Sequence, residues 1–531
     1  MFKNTLNLTK FYLLRNKNSA FIWLISMTLL NFYVAFMYNN LYGTQAERDT
    51  MYVVMQNPAM VAMLGPTKLV NGLYTLPAMF SQQMLVICAI ALAIMNILYV
   101  IKSTRKSEED GQLEVISSLS IGRLSNLSAT YVSMAIINII IALVSGILLY
   151  ISGMQDITLS SALTYTFTIG LVAIIYGFIA GVFAQLCQTS RMALILSSVI
   201  LLIDYMFRAW QDINNVSPAL TPLGLGFHAL PMVNLQIMNI IVLIIIAFVF
   251  KSLSLLLNQT RDYDSGILPT RDDKASASNL LRSPLTLILR QQRTTIIAWI
   301  VILFILGGTY GSIFGDLDSF IDGNELLTQM FLRDGTSNLA QSFASIIIMI
   351  ASIGVTFGTL TFIFKIVNEE KNDQIDLIYS KPISRVSYLK DYLLIAIILG
   401  ILYQLSFVLG LYLVQASVLS SPLSFKDLLV NSMLYLFPIY LFTGFGLLLI
   451  GIFPKGRVFL YGIIIFFAYF VYFGSIMNAP SILIDYSPFG IVPHYPVQSI
   501  HWLPLVVMLM IGILAGVIGF VTYRERDIKS N

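Results

Sequence analysis

Charge is scarce in this chain. Only 11% of its 531 residues are Asp, Glu, Lys or Arg, against about 25% in an ordinary soluble domain, while 57% are hydrophobic. A soluble globular protein is excluded. Cysteine is nearly missing as well: Cys88 and Cys187 fall in separate apolar segments, so no disulfide framework is implied. Histidine occurs three times, and no Ser-His-Asp set, zinc motif or paired-carboxylate site is visible. No catalytic residue and no metal ligand is therefore assigned. The chain also lacks a G-x-x-x-x-G-K-[ST] phosphate loop, the usual cradle for a nucleotide.

What the chain has instead is long apolar runs. A membrane-spanning helix needs about 20 apolar residues, and twelve such stretches lie near 19–38, 81–101, 129–152, 162–186, 190–208, 233–255, 294–314, 341–366, 389–417, 428–453, 458–477 and 499–523. Barrel strands of about ten alternating residues do not fit a run such as MNIIVLIIIAFVF. The first run is longer than a signal-peptide core of about 7–15 residues and has no small-residue cleavage site, so it is expected to stay in place. The expected fold class is an all-α polytopic membrane protein with twelve transmembrane helices.

Basic residues orient it, because cytoplasmic loops retain Lys and Arg. With the amino terminus inside, 26 of the 31 basic residues face the cytoplasm, and only Arg48, Lys68, Arg208, Arg333 and Lys426 lie outside; the acids divide 15 to 12. Both termini are expected in the cytoplasm. The net charge of +4 reflects insertion and anionic lipid, with the bilayer as partner and no nucleic acid.

The chain repeats itself. EEDGQLEVISSLSIGR (108–123) returns as EKNDQIDLIYSKPISR (370–385), 262 residues later, with Glu, Gln, Ile, Ser, Ile and Arg identical at matched positions. TPLGLGFH (221–228) returns as SPFGIVPH (487–494) at an offset of 266. Arg191 and Arg457 are also 266 apart, and Arg261-Asp262 and Arg526-Asp527 are 265 apart. Six spans bring the chain back to its starting side, so the halves are expected to be parallel repeats. The domains read as a first six-span unit (1–255), a cytoplasmic linker rich in Pro, Gly, Ser and charge (256–283) and a second six-span unit (284–531). Each half opens with an amphipathic lead-in suited to the membrane interface. In the second half it carries Leu281, Leu285, Ile288 and Leu289 beside Arg290 and Arg293; in the first it carries Phe2, Leu6, Leu13 and Leu14 with Lys10.

The repeated polar segment cannot sit in hydrocarbon. Glu108, Glu109, Asp110 and Glu114 would cost about 2.5–3.5 kcal/mol each at a span centre. Leu113, Ile116 and Ile121 oppose Glu114, Ser117 and Ser118, which makes a short two-faced helix broken by Gly122 in one copy and Pro382 in the other. A single loop of this kind would read as a solvated connection. Its presence in both halves points to a contact outside the bilayer, since idle loops drift after duplication.

The Glu-rich stretch after the second span, the acidic-apolar helix and the Ser-x-Pro-Ile-Ser-Arg ending at Ser380–Arg385 resemble the coupling-helix region of ABC-2-type permeases. The duplicated six-span unit with its amphipathic lead-in resembles the twelve-span subgroup described as polyketide-antibiotic exporters. The first copy departs from this pattern with Ser120 where the second has Pro382. The resemblance implies the permease subunit of an ATP-driven exporter in a bacterial cytoplasmic membrane, carrying an antibiotic or drug, peptide or lipid outward. It implies no cofactor on this chain, with ATP and Mg bound by two copies of a separate cytoplasmic ATPase subunit. The coupling residues it implies are Glu108, Gln112, Glu114 and Arg123 with Glu370, Gln374, Asp376 and Arg385. The alternative is a proton-coupled secondary transporter of the major facilitator type, which shares the span count but usually carries a Gly-x-x-x-Asp-Arg-x-Gly-Arg-Arg-like loop where this chain reads KSTRKSEEDGQLEVISS.

Other constellations are smaller. Pro222, Gly224 and His228 match Pro488, Gly490 and His494 as an outer turn or gate. Asp204 and Arg208, at i and i+4, are placed to pair across a helix face. The Gly-x-x-x-Gly pairs Gly177/Gly181, Gly307/Gly311, Gly354/Gly358 and Gly512/Gly516 suit close helix packing.

Overall fold

The computed structural model of the chain describes residues 1–67, 74–118, 120–216, 221–262, 265–268, 281, 283–316, 339–372, 374–419, 421–473 and 487–526. Most of the linker (269–280), the segment 317–338, the far end of the eleventh apolar run and Asp527 lie outside them. The chain divides into two compact units, Met1–Asp273 and Lys274–Asn531.

Among the described residues, twelve helices are long and apolar enough to cross a membrane. In the first unit these spans are Lys17–Leu41, Leu76–Glu109, Ser125–Ile151, Leu159–Leu186, Ser190–Ile213 and Ile237–Thr260. In the second they are Pro284–Ile313, Ala340–Lys371, Arg385–Val418, Phe425–Ile452, Pro454–Val471 and Trp502–Glu525. Every apolar run of the sequence thus becomes a helix, which satisfies the backbone within each segment, as a bilayer requires.

The two units use the same packing scheme. The first span lies against the third, the second against the fourth and the fourth against the sixth; the seventh, eighth and tenth spans meet the ninth, tenth and twelfth in the same way. Glycine sets the closest of these crossings. A Cβ on Gly307 would lie 2.2 Å from Phe407 O, and one on Gly410 would lie 2.1 Å from Phe304 O, so the seventh and ninth spans touch backbone to backbone. Gly354 does not share this role, because nothing lies within 4 Å of the position its Cβ would take.

The lead-ins differ. In the first unit the helix Thr5–Arg15 ends at Asn16 (φ −104°, ψ 10°), and the span Lys17–Leu41 starts immediately after it. The Asn16 side chain donates to Tyr12 O at 3.1 Å, which competes with the backbone ladder and marks the break. Phe2, Leu6, Phe11 and Leu14 are exposed. In the second unit no break occurs: Ser283 caps the helix by accepting from Thr286 N at 3.3 Å, and one uninterrupted helix runs from Pro284 to Ile313. The lead-in expected there as an element of its own is the first part of the seventh span.

Candidate functional site

The polar repeat begins where the second and eighth spans outrun their apolar stretches. The second continues through a π-helical turn, Lys102–Lys106, and a last turn, Ser107–Glu109. The eighth is interrupted at Phe364, 262 residues after Lys102, and resumes as Lys365–Lys371. Irregular turns inside helices are frequent at functional sites. Gly111, at φ 69°, then takes the left-handed conformation, which glycine adopts without a Cβ penalty. The chain reverses into a short helix, Gln112–Ser117 in the first unit and Gln374–Tyr379 in the second.

Each short helix has one anchored and one exposed face. Leu113 and Ile375 are buried, whereas Gln112, Glu114 and Ser118 in one unit and Gln374, Asp376 and Ser380 in the other are exposed. The apolar side chain beside the acid points the same way: Val115 is 71% exposed and Leu377, its equivalent, 74%. The sequence did not single out these two residues. The signal available was their position, since each follows the acid and lies two residues beyond the buried anchor.

Glu108, Arg123, Glu370 and Arg385 are taken up by contacts within the chain. Arg261 Nη2 lies 2.9 Å from Glu108 Oε1 and 2.8 Å from Oε2, and Arg105 Nη1 lies 3.0 Å from Oε2. Arg123 Nη2 donates to Arg261 O. In the second unit Arg526 Nη2 lies 2.5 Å from Glu370 Oε2, and Arg385 Nη1 donates to Arg526 O at 2.8 Å. The Glu108 side chain is only 7% exposed; guanidinium pairing is what allows a carboxylate to be buried at all. The expected coupling set divides by exposure into an outward group, Gln112, Glu114, Gln374 and Asp376, and an inward group that fixes the segment.

Further bonds tie the segment to its neighbours. Glu109 accepts from Ser190 N at 2.6 Å at the start of the fifth span, and Arg457 Nη1 donates to Asn368 Oδ1 at 2.9 Å at the start of the eleventh. In the first unit the lead-in grips the segment directly. Gly122 N donates to Lys3 O at 3.2 Å and Leu124 N to Met1 O at 3.1 Å, Arg15 Nη1 donates to Gln112 Oε1 at 3.2 Å, and Tyr12 OH donates to Asn126. Burial pushes the Tyr12 phenol up to about 12, so it stays a neutral donor. The second unit uses other means. Glu369 is buried and accepts from Tyr388 OH at 2.9 Å and Tyr392 OH at 2.7 Å. Tyr379 OH meets Tyr523 OH at 2.8 Å, and burial pushes the Tyr379 phenol up to about 12. The repeat does not point to Glu369, because Ser107 stands at its place in the first copy.

The second echo is a hydroxyl-capped turn. Thr221 Oγ1 accepts from Gly224 N at 3.1 Å and Ser487 Oγ from Gly490 N at 2.9 Å, with Pro222 and Pro488 following the cap, where a missing N–H costs nothing. His228 ends the helix Pro222–His228 and lies 3.4 Å from Asp212 Oδ1; His494 N donates to Gln498 Oε1 at 3.0 Å. The pair expected between Asp204 and Arg208 is replaced by one a turn further on: Arg208 Nη1 lies 2.8 Å from Asp212 Oδ2. The carbonyls of Ala62 and Met63 hold the Arg208 guanidinium, while Asp204 accepts from Leu223 N at 3.2 Å and from Tyr176 OH.

Fold and site together define a polytopic, all-helical membrane protein whose six-span unit and polar turn occur twice. The family described as "Multidrug efflux system permease Rv1217c, C-terminal domain" matches residues 14–257 and again residues 281–524, and the chain belongs to that family. It is 22% identical over 534 residues to the multidrug efflux system permease protein Rv1217c of Mycobacterium tuberculosis (strain ATCC 25618 / H37Rv), covering 99% of this chain and 96% of that protein. The double match, displaced by 267 residues, agrees with the offsets in the polar repeats. These relationships do not favour the major facilitator alternative.

Proposed function

We propose that this chain is the permease of an ATP-driven exporter of the ABC-2 type, and that two copies of a cytoplasmic ATPase dock beneath the helices Gln112–Ser117 and Gln374–Tyr379. Both termini and both short helices then lie in the cytoplasm, and ATP and Mg belong to the partner. The cargo is an amphipathic compound moved outward, in keeping with the multidrug efflux in the relative's name. The observation that carries this reading is the duplicated outward face: an acid and an exposed aliphatic side chain, Glu114 with Val115 and Asp376 with Leu377, each on a helix anchored from behind. Burying such a side chain in a partner cleft contributes about 1.5–3 kcal/mol, and the flanking carboxylate adds direction to the contact.

The test is to change Glu114 and Asp376 to Lys together and measure co-purified ATPase and export from cells. Insertion should be normal, because neither residue enters hydrocarbon, while ATPase capture and export should both be lost. Full export with the ATPase still bound would overturn the proposal.

A further inference from the structure

A docking helix can drive transport only if a displacement at its outward face reaches the spans. The second and third spans, and the eighth and ninth, are joined to it by the chain itself. The structure adds a connection that the chain does not make. Arg261, just past the sixth span, holds the polar segment at both ends: its guanidinium grips Glu108, the first residue, and its carbonyl receives Arg123, the last. Arg526, just past the twelfth span, does the same for Glu370 and Arg385. The partners are 153 and 156 residues apart in the chain, so no local propensity produces this arrangement, and it is built twice. In the first unit the inter-repeat linker joins it, since Ser265 O accepts from Arg261 Nη1 at 3.0 Å and from Arg105 Nη1 at 3.3 Å.

We infer that Arg261 and Arg526 are positioning residues that carry movement of the two docking segments into the sixth and twelfth spans. A segment fastened at its first and last residues to one point on another helix cannot shift without moving that helix. The inference rests on the docking proposed above and gives it a direction: the partner pulls on the last span of each repeat as well as on the two that flank the segment. Carboxylate and guanidinium suit this use, because a charge-assisted bond is about twice as strong as a neutral one: Arg261 Nη2 reaches both oxygens of Glu108, and Arg526 Nη2 reaches one oxygen of Glu370.

Charge exchange tests it in the full chain with its ATPase. The second unit is the simpler case, because Val367 stands where the first has Arg105. Glu370→Arg and Arg526→Glu, made singly, should leave ATPase capture and hydrolysis intact yet lower export roughly tenfold or more; made together, they should restore it. Arg526→Lys should keep most of the function, since Arg526 reaches one oxygen of Glu370 through a single nitrogen and an ammonium can make the same contact. A second readout needs no ATPase. Backbone hydrogen exchange over 520–526 should rise together with that over 374–379 in each single variant and return to normal in the double. Wild-type export by the single variants, or exchange over 520–526 that does not follow 374–379, would overturn the inference. Failure of the double to restore export while thermal stability falls in parallel would reduce the pair to a structural staple. Should the unaltered chain capture no ATPase, the docking proposal fails, and the exchange measurement alone decides whether the two elements are linked.

Discussion

Arg208 is wholly buried in the first unit with its guanidinium 2.8 Å from the carboxylate of Asp212, one turn further along the same helix. Met63 O, from the helix Pro58–Leu64, is 3.3 Å from the same guanidinium, so the pair also pins the connection between the first two spans. Removing one partner of a buried pair typically costs about 3–5 kcal/mol. Arg208→Ala should therefore lower the unfolding temperature of the detergent-solubilised protein and raise the thiol reactivity of a Met63→Cys reporter. The double variant with Asp212→Ala should be no worse than the single one. A double variant clearly less stable than Arg208→Ala would show that Asp212 acts more through His228 than through Arg208.

Asn96 and Asn138 exchange side-chain hydrogen bonds of 3.3 and 2.9 Å inside the same unit. Replacing either by Leu strands the other amide, at a cost of about 1–3 kcal/mol. Replacing both strands neither. Thermal unfolding of the two single variants and the double should give a positive coupling, with the double less damaging than the sum of its parts; strict additivity would contradict the exchange.

In the first unit the lead-in holds the polar segment. Arg15→Ala, which removes the bond to Gln112, should increase hydrogen exchange over 112–118 severalfold and leave 374–379 unchanged. Equal changes in both segments would rule out a local buttress.

Orientation can be checked with an impermeant thiol reagent added to whole cells. Cys88 and Cys187 are both buried, so the background is low. Gln155→Cys and Ser118→Cys both place the thiol at an exposed position, and only the first should be labelled. Labelling of Ser118→Cys alone would invert the topology and remove the docking assignment with it.

How much of this could be read in advance depended on distance along the chain. The twelve helices were legible because hydrocarbon thickness imposes a length that the apolar runs satisfy. The capped turn at Thr221 and Ser487 was legible as a turn because Pro and Gly act locally. Val115 and Leu377 were not, because in a six-residue helix an apolar side chain can face either way and only its packing decides. The Glu108–Arg261 contact joins residues 153 apart in the chain, and no periodicity reports it. The Asp204–Arg208 expectation failed for an instructive reason: at i, i+4 spacing Arg208 has two acids within reach, Asp204 and Asp212, and the choice was made by tertiary contacts to Ala62, Met63, Leu223 and Tyr176.

The helix Pro284–Ile313 is 30 residues long, about 45 Å at 1.5 Å per residue, whereas its counterpart in the first unit is snapped into a surface helix and a span. A transporter assembled from two identical six-span chains would be held to twofold symmetry. Fusing the copies into one reading frame lifted that constraint, and the lead-in is a place where the copies have since diverged in architecture as well as in sequence. The two halves can thus respond unequally to one and the same signal, a division of labour that no homodimer can inherit.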